Sequence, residues 1–397
     1  MTTTITNEHK KLNVPNLRFP EFQGEWKKCK LGDLCNVLMC KRILASQTNT
    51  EEGVPFYKIG TIGNAPDAYI SKELFDDYKT KYNYPHKGEV MITCAGTVGK
   101  CVIYDGKDAY YQDSNIVWID NPSQCISNSF LYHLLAKVDW RKLNSTTIIR
   151  IYNDDLRNLK LSYPQIEEQQ KISRYLSLLD ERIATQNKII EDLKELKSAI
   201  IEEHYRQTEK NEVCVADLGN HFNVGNLAKD DLSETGKPCI IYGELFTTYG
   251  EIISQIESHT NKTEGMILSK KGDLLFPSST TVDAVSLIAP SVINVDNVIL
   301  GGDMFGIHIS HNYNAQYLSY YFNHIAKKQL AKFAKGSTII HLHYTDIEKA
   351  KLLLPSLEEQ NRMAKCLVAL DKKVSVEQNL LSSLTCQKSY LLQQMFI

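Results

Sequence analysis

The chain has 397 residues, 43% of them hydrophobic and 23% charged, with a formal net charge of −2. That length holds two or three domains with full cores, and the near-neutral charge leaves any nucleic-acid partner to be met by local patches. The polar start MTTTITNEHKKLN lacks the apolar stretch of a signal peptide, no run approaches the roughly 18 apolar residues of a membrane span, and ten cysteines without a C-x-x-C pair support neither a zinc ribbon nor a redox motif; the expectation is a cytoplasmic chain with reduced thiols and no membrane partner.

Residues 1–12 are polar and expected to fray. Residues 13–163 read as a first mixed α/β head. The short apolar runs VPFYKIGTI (54–62), GEVMIT (88–93), GKCVIY (99–104) and SNIVWID (114–120) are strand candidates, and SFLYHLLAKVDWRKL (129–143) has helical spacing. Residues 164–210 form a stalk. From Glu167 to about Tyr205 there is neither Gly nor Pro, and Ile172, Leu176, Leu179, Ile183, Ile190 and Leu193 step by four and three, with Gln186 filling the one seven-residue gap, the seam of a coiled coil. A helix of that extent is roughly 57 Å long.

Residues 211–354 form a second head. Its strand candidates are VCVADLG (213–219), KPCIIYGEL (237–245), GDLLFP (272–277) and FGIHIS (305–310), with a helix over 315–333. Residues 355–397 form a second stalk, with Leu367, Leu370, Val374, Leu381 and Leu384 in the same seam. Ser356 and Glu359 carry a capping-box signature at its start.

The second half repeats the first. At an offset of 191, residues 148–206 align without a gap to 339–397, pairing Ile148-Ile149 with Ile339-Ile340, Pro164 with Pro355, Asp180 with Asp371 and Lys197 with Lys388. Gln186 matches Glu377, so the polar breaks in both seams coincide, which suggests that the stalks pair with each other or with similar partners. The heads share an offset of 184: Leu31-Gly32-Asp33-Leu34 resembles Val215-Ala216-Asp217-Leu218, and Lys87-Gly88-Glu89-Val90 resembles Lys271-Gly272-Asp273-Leu274. Their loops differ, Cys94-Ala95-Gly96-Thr97 against Ser278-Ser279-Thr280-Thr281, as expected of one scaffold with two specificities. The fold class is α+β: two mixed α/β heads, each followed by a long helix.

Catalytic motifs are missing. Gly99-Lys100 is followed by Cys101, so it is no P-loop, and G-x-G-x-x-G, H-E-x-x-H and G-x-S-x-G are absent. Pro66-Asp67 with Asp77-Tyr78-Lys79 mimics a metal-dependent nuclease pattern, but the segment reads as a surface loop; His341 and His343 read as edge residues rather than metal ligands. The recurring signal is basic. Lys137, Arg141, Lys142, Ser145-Thr146-Thr147 and Arg150 precede the first stalk, and Lys328, Lys332, Lys335, Gly336-Ser337-Thr338 and His341 precede the second. Lysines beside a hydroxyl-rich turn can hold phosphates. Lys41, Arg42, Thr97, Lys100, Gln112 and Asn115 in the first head, and Asn226, Lys229 and the loop Ser278, Ser279, Thr280, Thr281 in the second, are further candidates for DNA contact. Asn and Gln suit adenine, Arg and Lys guanine.

The opening Val14-Pro15-Asn16-Leu17-Arg18-Phe19-Pro20-Glu21-Phe22, with Trp26 and Leu31-Gly32-Asp33-Leu34, resembles the start of specificity subunits of type I restriction-modification systems. So do the two segments Pro164-Gln165-Ile166-Glu167-Glu168-Gln169 and Pro355-Ser356-Leu357-Glu358-Glu359-Gln360, in the order head, stalk, head, stalk. The resemblance implies that each head is a target recognition domain reading one half of a bipartite, asymmetric DNA sequence. It implies stalks paired as an antiparallel coiled coil with pseudo-two-fold symmetry, docking two modification (M) subunits and serving restriction (R) subunits. The chain itself would bind no cofactor; S-adenosylmethionine, ATP and Mg would belong to the partners. A coiled-coil scaffold with two heads for other ligands is the alternative that the seam alone also fits.

Overall fold

The computed structural model describes residues 12–142 and 150–397. It forms two compact units that do not follow chain order. The first contains the chain up to Gln186 together with Leu380–Ile397, and the second contains Asn187–Asn379. Two long helices, Ile166–Gln207 and Leu357–Met395, each begin in one unit and end in the other.

The first head is built on a four-stranded antiparallel sheet in the order Asn36–Leu38, Ile116–Asp120, Val90–Thr93, Cys101–Ile103. Val90, Ile92, Val117 and Ile119 face a core with Trp26, Phe130 and Leu134, while Met91, Ile116 and Trp118 face a second core with Phe56, Phe75 and Tyr110. Both sheet faces are covered, which is why these strands read as continuous apolar runs rather than alternating ones. A second, three-stranded sheet runs Tyr69–Ile70, Val54–Tyr57, Tyr110–Tyr111, the last pair parallel. A ribbon of Lys27–Lys30 with Lys160–Tyr163 closes the head at the start of the long helix.

The second head repeats this plan with longer strands. Its main sheet is ordered Gly219–Asn223, Met304–Ile309, Asp273–Pro277, Ser291–Ile293, Ile252–Ile253. Lys237–Ile241 pairs in parallel with Ile299–Gly301, and Asn211–Cys214 forms the closing ribbon with Lys351–Leu354. The short homologies of the two heads have a local cause. Asp33 and Asp217 each accept a backbone N–H three residues earlier, from Lys30 at 2.7 Å and Cys214 at 3.0 Å, and each fixes a 3₁₀ turn. Glu89 and Asp273 do the same for His86 and Lys270 around Gly88 (φ +91°) and Gly272 (φ +94°), left-handed positions that suit glycine.

Several sequence expectations need correction. Val215–Leu218 is that 3₁₀ turn and not a continuation of a strand over 213–219, and the strand expected over 237–245 stops at Ile241 before a helical turn at Glu244–Thr247. The strand expected over 54–62 ends at Tyr57. The helix expected over 129–143 ends at Lys137, because Val138 turns extended and Trp140 drops into the core. In the second head the helix from Ala315 widens into a π turn at Phe322–Ala326; the Asn323 amide donates to the Ser319 carbonyl at 2.9 Å, taking an acceptor the α-helix would use.

The two halves of each unit are joined by the long helices. In the first unit Ile172 and Leu176 belong to the head core with Leu391 and Met395 of the other helix, and Leu179 packs against it. Ile183 and Leu381 are half-buried there, and Leu384 is buried. In the second, Leu367 lies in the head core with Ile201, and Leu370 packs on it; Ile190 and Val374 are buried and Leu193 half-buried. The polar seam residues Gln186 and Glu377 are 5% and 8% exposed.

Candidate nucleic-acid interface

Each long helix starts from the same anchor. The buried amide of Gln169 donates to the Pro164 carbonyl at 2.9 Å and its oxygen accepts the Ser127 N–H at 2.8 Å; Gln360 donates to Pro355 at 2.9 Å and accepts from Asn314 at 3.0 Å. Ser127 and Asn314 are N-caps of the helices Asn128–Lys137 and Ala315–Tyr321, so one glutamine ties a stalk to the cap of a head helix in each unit. The preceding glutamates differ. Glu168 is held by the Arg18 guanidinium at 2.8 and 2.7 Å and by Trp26 Nε1 at 3.3 Å, whereas Glu359 meets His204 at 3.1 Å. The Ser356 hydroxyl accepts the Glu359 N–H at 3.4 Å, so only half of the expected capping box is made, the glutamate being drawn to His204 and Arg362.

The loops singled out in the sequence come together in each head. In the second, Ser279–Thr280 pairs antiparallel with Ile340–His341, and the Leu342 N–H donates to the Ser278 carbonyl at 2.9 Å. In the first, the Ile151 N–H donates to the Cys94 carbonyl at 2.9 Å, the same contact at the repeat positions. The loop after the central strand is therefore strapped to the segment that leads into the stalk. Ser145-Thr146-Thr147 of that segment, and the matched Ile148-Ile149, lie outside the described residues.

Ser278 and Ser279 are buried, which removes their side chains from the surface, while Thr280 is half-buried and Thr281 exposed. Lys328, Lys332 and Lys335 are exposed, and Lys335 is engaged by Asp346. Arg141 and Lys142 are exposed, the latter 3.3 Å from Asp139. Lys41 is exposed with its Nζ 5.3 Å above the Tyr82 ring; Thr97, Asn226 and Lys229 are exposed. Lys100 is turned inward to the Ile62 carbonyl at 2.6 Å, a structural bond that withdraws it from the surface set. Arg42, Gln112 and Asn115 line one groove of about 340 Å³ with Lys58 and Ser114, and the Arg150 guanidinium reaches the Ser114 carbonyl at 3.3 Å.

Asp67 pairs with Lys58, Asp77 with Lys81 and Lys79 with Asp108, so the nuclease-like pattern is dispersed into surface ion pairs. No group of three His, Cys, Asp or Glu residues that could hold a metal occurs among the described residues, and none of their helices is long and apolar enough to cross a membrane. Burial pushes the Cys94 and Cys101 thiols up to about 12, away from the thiolate form a nucleophile needs.

One scaffold used twice, with differently lined loops on each copy, defines a two-site recognition protein. A family model described as the type I restriction modification DNA specificity domain matches residues 23–195 and again 208–385. The chain belongs to that family: it is a type I specificity subunit whose heads are target recognition domains, and DNA sequence recognition is the family role. It is 49% identical over 167 residues to a Haemophilus influenzae protein named as a type I restriction enzyme specificity subunit, a match spanning 42% of this chain and 43% of that relative. It is 23% identical over 400 residues to the Methanocaldococcus jannaschii MjaX specificity subunit, covering 93% of this chain and 92% of the relative. Among solved structures, a type I S subunit from M. genitalium superposes with a TM-score of 0.62 at 17% identity, covering 97% of this chain and 99% of that one. A chain from a structure of type I R-M complex assembly gives 0.54 at 16% identity, covering 93% and 97%.

Proposed function

We propose that this chain is the sequence-reading subunit of a type I restriction-modification complex in the cytoplasm, in which each head reads one half of a bipartite, asymmetric DNA site. The observation that carries this reading is the strapped loop present in both heads with different side chains, Cys94–Thr97 in one and Ser278–Thr281 in the other. The chain performs no bond chemistry in this reading. S-adenosylmethionine, ATP and Mg belong to two modification subunits and to restriction subunits docked on it. Docking is supported by apolar side chains that the long helices leave exposed, Tyr175, Leu178 and Tyr390 in the first unit and Ile189, Leu196 and Val376 in the second. Phosphate contact falls to the lysines beside the straps, and M subunits supply the remaining positive charge that a chain of net −2 lacks.

The deciding experiment is adenine-methylation mapping by long-read sequencing in cells co-expressing this chain and its M subunit. A gapped two-part motif that vanishes without the chain supports the assignment. Exchanging residues 13–160 for another head should then change one half of the motif only. Failure to form any complex with M would favour a scaffold whose heads bind other ligands, and binding insensitive to salt would point the same way.

A further inference from the structure

Among the places where the two heads differ in length, one ends on an anchor that both heads share. In the first head four residues, Gln112–Asn115, join strand Tyr110–Tyr111 to Ile116–Asp120; in the second, Gly302 and Asp303 alone join Ile299–Gly301 to Met304–Ile309. Both joins end on the same anchor, the Asn115 carbonyl accepting the Cys94 N–H at 2.7 Å and the Asp303 carbonyl the Ser278 N–H at 2.7 Å. Both place a left-handed residue before it, Gly302 at φ +89° and Ser114 at φ +51°. A serine in that region is strained where glycine is not, and strain of this kind gathers at functional loops. Arg150 holds the Ser114 carbonyl at 3.3 Å.

The longer loop brings in Asp113, whose carboxylate accepts from Arg42 Nε at 2.8 Å. At the head offset of 184, Arg42 is replaced in the second head by Asn226, so both members of the pair are peculiar to the first head. The Arg42 side chain is 66% exposed, and its Nη1 and Nη2 groups have no partner among the described residues. The neighbouring Lys58 is drawn to Asp67 at 3.0 Å. Arginine thus presents a fork of two donors from a stiffened base at the mouth of the groove shared with Gln112 and Asn115.

We propose that Arg42, oriented by Asp113, reads a guanine in the half-site of the first head. The major-groove edge of guanine offers two acceptors, N7 and O6, spaced to match the Nη fork, and no other base offers that pair. Asp113 is a positioning residue: it occupies Nε and fixes the plane of the guanidinium. This rests on the reading of the heads as DNA-recognition domains and adds the base and the side chain.

The test uses the complex with its M subunit and duplexes carrying the mapped motif, each guanine replaced singly by 7-deazaguanine, which lacks the N7 acceptor. With the wild-type chain, one guanine of one half-site should weaken binding roughly tenfold or more when replaced. Arg42→Ala and Arg42→Lys should show that loss on the unmodified duplex and no further loss on the modified one. Asp113→Asn should lower the sensitivity without abolishing it. Unchanged penalties in the other half-site show that the variants fold. The proposal is overturned if Arg42→Ala weakens all duplexes alike and keeps the 7-deazaguanine penalty, the mark of a phosphate contact, or if no guanine of that half-site is sensitive. Absence of sequence preference in both half-sites would instead overturn the DNA-reading assignment itself.

Discussion

Lys197 Nζ lies 2.9 Å from Asp371 Oδ1, across the two long helices of the second unit, and the repeat positions Lys388 and Asp180 are paired in the first. The second unit surrounds this pair with a network. Lys197 also meets Glu251 at 2.9 Å, Glu251 meets His324 Nε2 at 3.0 Å, and the Tyr320 hydroxyl donates to Asp371. Nearby carboxylates hold the Lys197 ammonium in its charged form against burial, and His324 and Lys197 hold Glu251 down to about 2 despite burial. In the first unit His133 stands at the repeat position of His324, with Nδ1 4.0 Å from Asp180 and Nε2 3.3 Å from Ser177, and no second carboxylate joins it among the described residues.

Removing the cation from the fuller network should cost more than removing it from the sparse one. Lys197→Met removes the cation that Glu251 and Asp371 share and leaves only Glu251 with His324 beside it, and breaking such a partly buried pair is expected to cost about 3 kcal/mol. Lys388→Met should cost less. The double variant Lys197→Met, Asp371→Leu should recover part of the loss. Denaturant midpoints of the four chains check this, and equal losses for both single variants would refute the assigned asymmetry.

His133 is expected to make the first unit acid-sensitive. Burial, opposed by Asp180, pushes its imidazole from the usual 6.5 down to about 4, so the unfolded chain binds the proton first. The group contributes its full stability above pH 6.5 and loses it as pH falls from 6.5 toward 4, about 3 kcal/mol for a shift of that size. Urea titrations at pH 7.5 and 5 should show wild type losing stability that His133→Leu retains. The same pH slope in both chains would assign the effect to other groups.

The paired glutamine anchors predict a further effect. Gln360→Leu strands the Pro355 carbonyl and the Asn314 N–H in a buried site and should cost about 1–3 kcal/mol. Gln360→Glu keeps the acceptor for Asn314 while losing the donor to Pro355. Amide exchange at residues 314–318 should accelerate in the first variant and less in the second; protection unchanged in both would mean that the anchor is replaced by water.

The repeat made much of this legible beforehand. The offset of 191 matches the positions that the structure joins into both anchors, both ion pairs and the aromatic contact of each unit, Phe396 against Phe130 at 4.9 Å and Tyr205 against Tyr321 at 5.7 Å, while the contacts themselves are visible only in the fold. The apolar seams located both long helices because 3.6-residue periodicity survives over many turns. What stayed hidden depends on contacts distant in sequence. Nothing local marks Ser278 and Ser279 as buried or Lys100 as turned to Ile62, and the Arg42–Asp113 pair requires two loops to meet. The division into units was equally hidden, because each stalk helix serves the core of both heads and the seam pattern carries no sign of where one ends.

The ion pairs also set how a spacer test must be built. Asp180 and Lys197 are separated by the same number of residues as Asp371 and Lys388, so an insertion in one helix alone leaves the two pairs with unequal spacing. Adding four residues to each helix, between Asp180 and Lys197 and between Asp371 and Lys388, keeps them equal. It lengthens each helix by about 6 Å and turns its face by only about 40°. About 6 Å corresponds to roughly two base pairs of B-DNA. The methylated motif of the doubly extended chain should keep both half-sites and gain about that many bases in its gap, whereas single-helix insertions should lower stability and methylation together. A gap of unchanged length in the doubly extended, stably folded chain would mean that these helices do not set the spacing.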